Sequence, residues 1–378
     1  MRRLIAHCRI VSPGLDLEDA AIEIHGDTIH AIHQSDAPWP KIEETLDASG
    51  LTVVPGFIDI HTHGAGGGDA CVADLAGLRR MARAKLAEGV TTFLPTSLTL
   101  PAADLEAIFR TVAAYQCDPD GALAPAIHVE GPFINPKCVG AQNPAFVRPP
   151  DIAEMDRLNA IAPIAIISVA TEMPGGVEFV KAAAQRGWLT SLAHSAATYA
   201  QFLEAKAAGL THLTHFCNQM TPLHHREIGL VGAGLLDQEI RMEMICDKLH
   251  LCPDMIRLTF QTKPLAQLML ITDSISASHQ TDGPYEIGGL SVTVCNGEAR
   301  LASGVIAGST LRLNQALANV FELTRIPLAD LIATTSWNQA QSLGWNRLGK
   351  IESGYYADLA LLRPDFSVQG TILRGEPT

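Results

Sequence analysis

Two histidines one residue apart, His61 and His63, close the stretch PGFIDIHTHG at 55–64. The apolar and β-branched residues before them read as a short buried strand. Side chains alternate along a strand, so both imidazoles project to one side. Gly64, Gly66, Gly67 and Gly68 follow, a loop with wide conformational freedom. Glu130, His194, His215 and Asp273 recur at the ends of later apolar runs. Neutral imidazoles with one carboxylate suit zinc, iron or another first-row divalent ion, and a single carboxylate can bridge two of them. Asp273, in ITDS at 271–274, is placed to take a proton from an activated water and pass it to a leaving amine. Each residue alone has a plainer reading, a histidine satisfied in the core or an aspartate capping the next segment. Their joint recurrence at strand ends points to a metal centre.

Other histidines show what the plainer reading looks like. His128 lies two residues before Glu130, and His7, His25, His30 and His33 belong to an N-terminal β-region. His212 and His215 differ in strand parity and should face opposite sides, with His215 the better ligand. Directly after it, NQMTPLHHREIG at 218–229 is rich in groups that favour anions, Asn218 and Arg226 among them. An Arg-Glu pair on the surface is the alternative for Arg226. Asp247 and His250 end another strand, and His250 is a second candidate for a sugar or phosphate. The small-residue loop at 304–310 would let a substrate approach the backbone, but it lacks the lysine and spacing of a nucleotide P-loop.

These residues must be positioned by regular elements. Apolar runs at 57–61, 91–95, 126–130, 164–169, 189–194, 212–216, 242–246 and 268–272 alternate with stretches of helical period such as 75–88, 177–186 and 199–208. That alternation predicts an α/β fold, a TIM-like (β/α)8 barrel, whose chemistry sits at the C-terminal ends of the strands. The ends of the chain read differently. Residues 21–25 and 28–33 alternate around a Gly26-Asp27 turn, and 349–374 has the same character. Both termini are expected to build one small β-sandwich domain (1–54 and 335–378) flanking a catalytic barrel at 55–334.

Composition narrows the partners. The chain has 378 residues, 47% of them hydrophobic, which suits one large barrel with an appendage. Its 27 basic and 40 acidic residues give a net charge of −13 with no basic cluster, so nucleic acid is not expected as a partner. Eight cysteines without a Cys-x-x-Cys pair fit reduced thiols in a cytoplasmic enzyme. The N-terminus lacks the apolar core of a signal peptide. The longest apolar run, 161–170, is about half a membrane span and contains Pro163, so no membrane association is expected.

Several stretches jointly carry a family resemblance: PGFIDIHTHG at 55–64, HVEGPF at 128–133, AHSAAT at 193–198, THLTH at 211–215, LHHREIG at 223–229, ITD at 271–273 and AGSTL at 307–311. By these the chain resembles the N-acetylglucosamine-6-phosphate deacetylases of the amidohydrolase superfamily, over nearly its whole length. The resemblance implies a metal-dependent amide hydrolase barrel acting on a phosphosugar, and by default a homodimer. It implies a main metal at Glu130, His194 and His215, room for a second ion at His61 and His63, and Asp273 as catalytic acid-base. Substrate contacts carried over are Ala141, Gln142, Asn218, Gln219, Arg226, Asp247, His250, Ile306, Ala307 and Gly308. Three positions depart from the family pattern: Gln142 replaces a histidine, Gln219 a small residue and Lys248 a glycine. They lie in the substrate pocket and bear on substrate identity, so an N-acetylgalactosamine-6-phosphate deacetylase, another N-acyl amidohydrolase and a catalytically silent binding protein are the alternatives.

Overall fold

The structure, a computed structural model, describes residues 1–36 and 38–378. Eight parallel strands form one sheet in which every strand neighbours the next in sequence: β1 (Phe57–Thr62), β2 (Val90–Ser97), β3 (Ile127–Glu130), β4 (Ile164–Val169), β5 (Leu189–Leu192), β6 (His212–Leu213), β7 (Arg241–Ile245) and β8 (Leu268–Ile271). Every residue of β1, β2, β3 and β8 is buried, as expected of parallel strands covered on both faces. The sheet curls until its first and last strands meet. The amide of Asp273 donates to the His61 carbonyl at 2.9 Å, and those of His63 and Gly64 donate to the Ser274 carbonyl. Gly64 is required there, because a Cβ would lie 2.5 Å from the Gly68 carbonyl oxygen and the Ser276 nitrogen. Below this seam the fully buried Lys85 binds Asp59 at 2.9 Å, Glu88 at 2.8 Å, and the hydroxyls of Thr272 and Ser274. One satisfied cation thus ties the opening strand to the closing one.

Two strands are shorter than their apolar runs. The runs at 189–194 and 212–216 leave the ladder at Leu192 and Leu213. At these points His194 and His215 adopt φ of +46° and +32°, and Asp273 follows β8 at +49°. A left-handed backbone ends strand pairing and turns the side chain, and at non-glycine residues it concentrates at functional sites.

The two ends of the chain share a second sheet. Leu15–His25 and Thr28–His33 pair antiparallel, and Thr52–Pro55 pairs with Leu359–Leu362, so N- and C-terminal segments interlock. A three-stranded sheet, Gly283–Ile287, Leu290–Cys295 and Glu298–Leu301, follows β8 and was not evident in the sequence. Its strands are half exposed and lack the long apolar runs that marked the barrel. All eight cysteines are unpaired. Among the described residues no helix is long and apolar enough to cross a membrane.

Candidate metal centre

At the C-terminal rim of the barrel four imidazoles surround one carboxylate. The Nε2 atoms of His194 and His215 lie 3.1 and 2.9 Å from Glu130 Oε1 and 3.1 Å from each other. His63 Nε2 is 3.3 Å from the other oxygen of Glu130, and His61 Nε2 is 3.7 Å from the first. Asp273 completes the ring, its Oδ1 standing 3.1 Å from His63 Nε2 and 3.5 Å from His61 Nε2. Glu130 therefore stands between two groups, His194 with His215 and His61 with His63, both of compact ligand geometry.

The far side of three of the four rings shows what this cluster holds; His215 Nδ1 has no hydrogen-bond partner among the described residues. His194 Nδ1 lies 2.7 Å from the Cys138 carbonyl, His63 Nδ1 3.0 Å from the Thr96 carbonyl, and His61 Nδ1 3.2 Å from Glu243. A carbonyl only accepts, so Nδ1 of His194 and of His63 carries the proton and their Nε2 atoms present a lone pair inward; burial raises the Glu243 carboxyl to about 7, and in its ionised form it fixes His61 the same way. Lone pairs aimed at one another and at two carboxylates need a cation between them. The donor set, imidazole with carboxylate, fits a first-row divalent ion.

Electrostatics agree. Burial works against ionising Glu130, but His61, His194, His215 and His63 outweigh it and hold the carboxyl well below its usual range. Burial likewise opposes a charge on His63, yet Asp273 and Glu130 raise it well above 6.5, and His215 is raised against burial chiefly by Glu130. Asp273 is pulled down to about 2 against burial, chiefly by His61 and His63. Burial drives His61 to about 4 against the pull of Glu130 and Asp273. Without an ion, protons on His63 and His215 supply the positive charge the carboxylates call for.

The cluster forms the floor of a cavity of about 330 Å³. Ala141, Gln142, Asn218, Gln219, His250, Ile306 and Gly308 line it, with Leu98, Ile287 and Val305 as apolar walls. Gln142 is oriented: its Oε1 accepts from the Thr99 amide at 2.7 Å, which turns its NH₂ toward the rim, 3.2 Å from His194 Nε2. Asp247 stands behind the wall, where it accepts from the amides of Leu249 and His250 and lies 2.6 Å from His250 Nδ1. Ala307 is buried behind its two neighbours, and Arg226 is exposed, against His225 and outside this cavity. His212 faces away from the rim, toward Ser342. His128 lies under His61, its two nitrogens on the Ile60 carbonyl and Ser168.

Sequence reasoning passed over Glu243, although an acid in the apolar strand RMEMI was a readable signal. It also missed Thr96, Thr99 and Cys138, which act through backbone atoms and leave no side-chain signature.

Comparison with known proteins places the chain. The amidohydrolase family profile matches residues 52–378. The N-acetylglucosamine-6-phosphate deacetylase of Bacillus subtilis (strain 168) is 33% identical over 98% of this chain and 96% of its own. The N-acetylgalactosamine-6-phosphate deacetylase of Escherichia coli O157:H7 is 34% identical over 95% of each. Among solved structures, a variant of the Mycobacterium smegmatis N-acetyl-D-glucosamine-6-phosphate deacetylase in complex with N-acetyl-D-glucosamine-6-phosphate superposes with a TM-score of 0.93. It is 30% identical and covers 100% of this chain and 99% of that one. The chain belongs to the amidohydrolase family, within the group formed by these phosphosugar deacetylases.

Proposed function

We propose that the protein removes the N-acetyl group of N-acetylglucosamine 6-phosphate, giving glucosamine 6-phosphate and acetate. The observation that carries this reading is the inward lone pair on His61, His63 and His194 beside Glu130 and Asp273, at the floor of a cavity of about 330 Å³. Glu130, His194 and His215 would hold one divalent ion, zinc or iron, and His61 and His63 with Glu130 would hold a second. Such ions supply Lewis acidity that polarises a carbonyl and acidifies a water.

The chain's own groups do the rest. Asp273 takes a proton from water as its oxygen attacks the acetamide carbonyl carbon. The Gln142 amide, held by Thr99, donates a hydrogen bond to the carbonyl oxygen as charge builds there. Asp273 then returns the proton to the sugar nitrogen as the C–N bond breaks, leaving the amine and acetate. His250, braced by Asp247, and Asn218 and Gln219 receive the phosphosugar at the other end of the cavity. The family homodimer is proposed with this reading, and molar mass in solution checks it.

N-acetylgalactosamine 6-phosphate is the second reading. The galactosamine relative is as similar as the glucosamine one, and Gln142 and Gln219 alter the cavity lining rather than the ligands, whereas Lys248, expected in the pocket, lies outside that lining and pairs with Glu322. Acetate release from both phosphosugars and their unphosphorylated forms, with metal analysis of the same sample, tests both. A preference above about tenfold in kcat/KM identifies the substrate; no acetate from any of the four by metal-loaded protein sinks both readings.

A further inference from the structure

Three of the rim imidazoles have their Nδ1 hydrogen held, but by unlike groups. For His63 and His194 the acceptor is a backbone carbonyl on a neighbouring loop, of Thr96 and of Cys138. For His61 it is a carboxylate, Glu243 Oε2, at 3.2 Å. Glu243 sits on β7 with its side chain turned into the barrel, and both it and His61 are fully buried. Its other oxygen, Oε1, has no hydrogen-bond partner among the described residues. His128 packs edge-on against His61 with ring centres 4.7 Å apart, but its nitrogens are already engaged by Ile60 and Ser168. Among the described residues the Glu243 side chain therefore has His61 as its single hydrogen-bond partner. A buried carboxylate with one partner is costly to a fold, and a hydrophobic side chain would pack there at less expense. On the opposite side of the same ring, His61 Nε2 is buried, has no hydrogen-bond partner among the described residues, and faces Glu130 and Asp273.

We propose that Glu243 is a positioning residue for the metal centre: it holds the His61 ring and its Nδ1 hydrogen so that Nε2 is free to bind the ion shared with His63. A carboxylate in this place makes the imidazole a stronger donor than a carbonyl does. His61 and Glu243 are 182 positions apart in sequence, and the pair exists only because closure of the sheet at β8 leaves β1 and β7 one strand apart. The proposal rests on reading His61 as a ligand, so its test measures ions as well as turnover.

Apoprotein is titrated with Zn²⁺ against a chromophoric chelator for the wild type, Glu243→Met, Glu243→Gln, His61→Ala and the Glu243→Met/His61→Ala double variant. The wild type is expected to take two ions per chain. Glu243→Met should weaken the second of them by roughly 10–100-fold and leave the first unchanged. Glu243→Gln, whose amide oxygen still accepts from Nδ1, should recover most of that loss. The double variant should bind no worse than His61→Ala alone, because the two residues act as one unit. A wild type with two ions and a Glu243→Met variant with unaltered affinity overturns this proposal alone. So does an equal weakening of both ions, or a loss that adds to that of His61→Ala. A wild type that takes a single ion overturns the two-ion reading and the proposal together.

Discussion

Two regions of this molecule gather a buried glutamate and several histidines, and they are not alike. At the barrel rim Glu130 faces His61, His63, His194 and His215. In the terminal sheet Glu23 lies 2.7 Å from His25 and 2.9 Å from His33, and His30 stacks on His25 at 3.9 Å. By residue type and spacing, Glu23, His25 and His30 could also hold an ion. The difference is where the positive charge comes from. Arg2 reaches Glu23 at 2.7 Å and His25 at 3.0 Å, so a permanent cation of the chain already neutralises that carboxylate. No lysine or arginine pairs with Glu130 among the described residues; the nearest buried cation along the seam, Lys85, is committed to Asp59 and Glu88. A metal centre is thus marked by unmet demand for positive charge and by ring nitrogens fixed from behind, rather than by a count of histidines.

That contrast can be broken most sharply by removing each carboxylate in turn. Glu130→Gln should abolish metal retention and lower kcat/KM by at least about 10⁴-fold. Glu23→Gln should change neither, and metal analysis with acetate release on both variants decides it. A Glu23 variant that loses an ion would mean the terminal cluster binds metal as well.

Asp273→Asn separates proton transfer from metal holding at the rim. It should cost about 10²–10⁴-fold in kcat, the usual worth of a positioned acid-base group, while the ion content stays at the wild-type value. Chelation comes next in size. Removing an ion present at about 100 times its Kd should lower folding stability by about 2.7 kcal/mol, seen as a fall in Tm that Zn²⁺ reverses. Glu23 variants should show the same Zn²⁺-dependent gain in Tm as the wild type.

The pH dependence sharpens the comparison further. The ion must displace protons from His63 and His215, whose basicity the two carboxylates raise above 6.5. Affinity for Zn²⁺ should therefore fall as pH drops from about 8 to about 6, and an affinity flat across that range would contradict the assignment. The smallest effect is in the terminal sheet. Burial works against the charge on Glu23, but Arg2, His33 and His25 lower its pKa from 4.5 to about 2. A carboxyl depressed on folding adds stability that is present above pH 4.5 and lost as pH falls toward 2. The Tm difference between wild type and Glu23→Gln should shrink over that window.

Much of this was legible in the residues. The barrel strands show as apolar runs because parallel strands are covered on both faces, and the reactive groups fall at their ends because only there does a strand meet solvent. The opposite facing of His212 and His215 followed from parity. Less legible was where each strand stops, since the +46° and +32° turns at His194 and His215 come from the rim and not from local preference. Arg226 and Asp247 looked alike as substrate contacts, yet one lies outside the cavity and the other braces His250 from behind. The half-exposed strands of 283–301 had no apolar run to announce them.

By itself the sequence determined which side chains reach the mouth of the barrel, since the apolar runs and the reactive residues that close them are written in the chain. Tertiary structure decided which nitrogen faces inward on three of the four rim imidazoles, His61, His63 and His194. That choice depends on a carbonyl of Thr96, a carbonyl of Cys138 and the carboxylate of Glu243, and segments far apart in the chain meet those rings only once the sheet has closed.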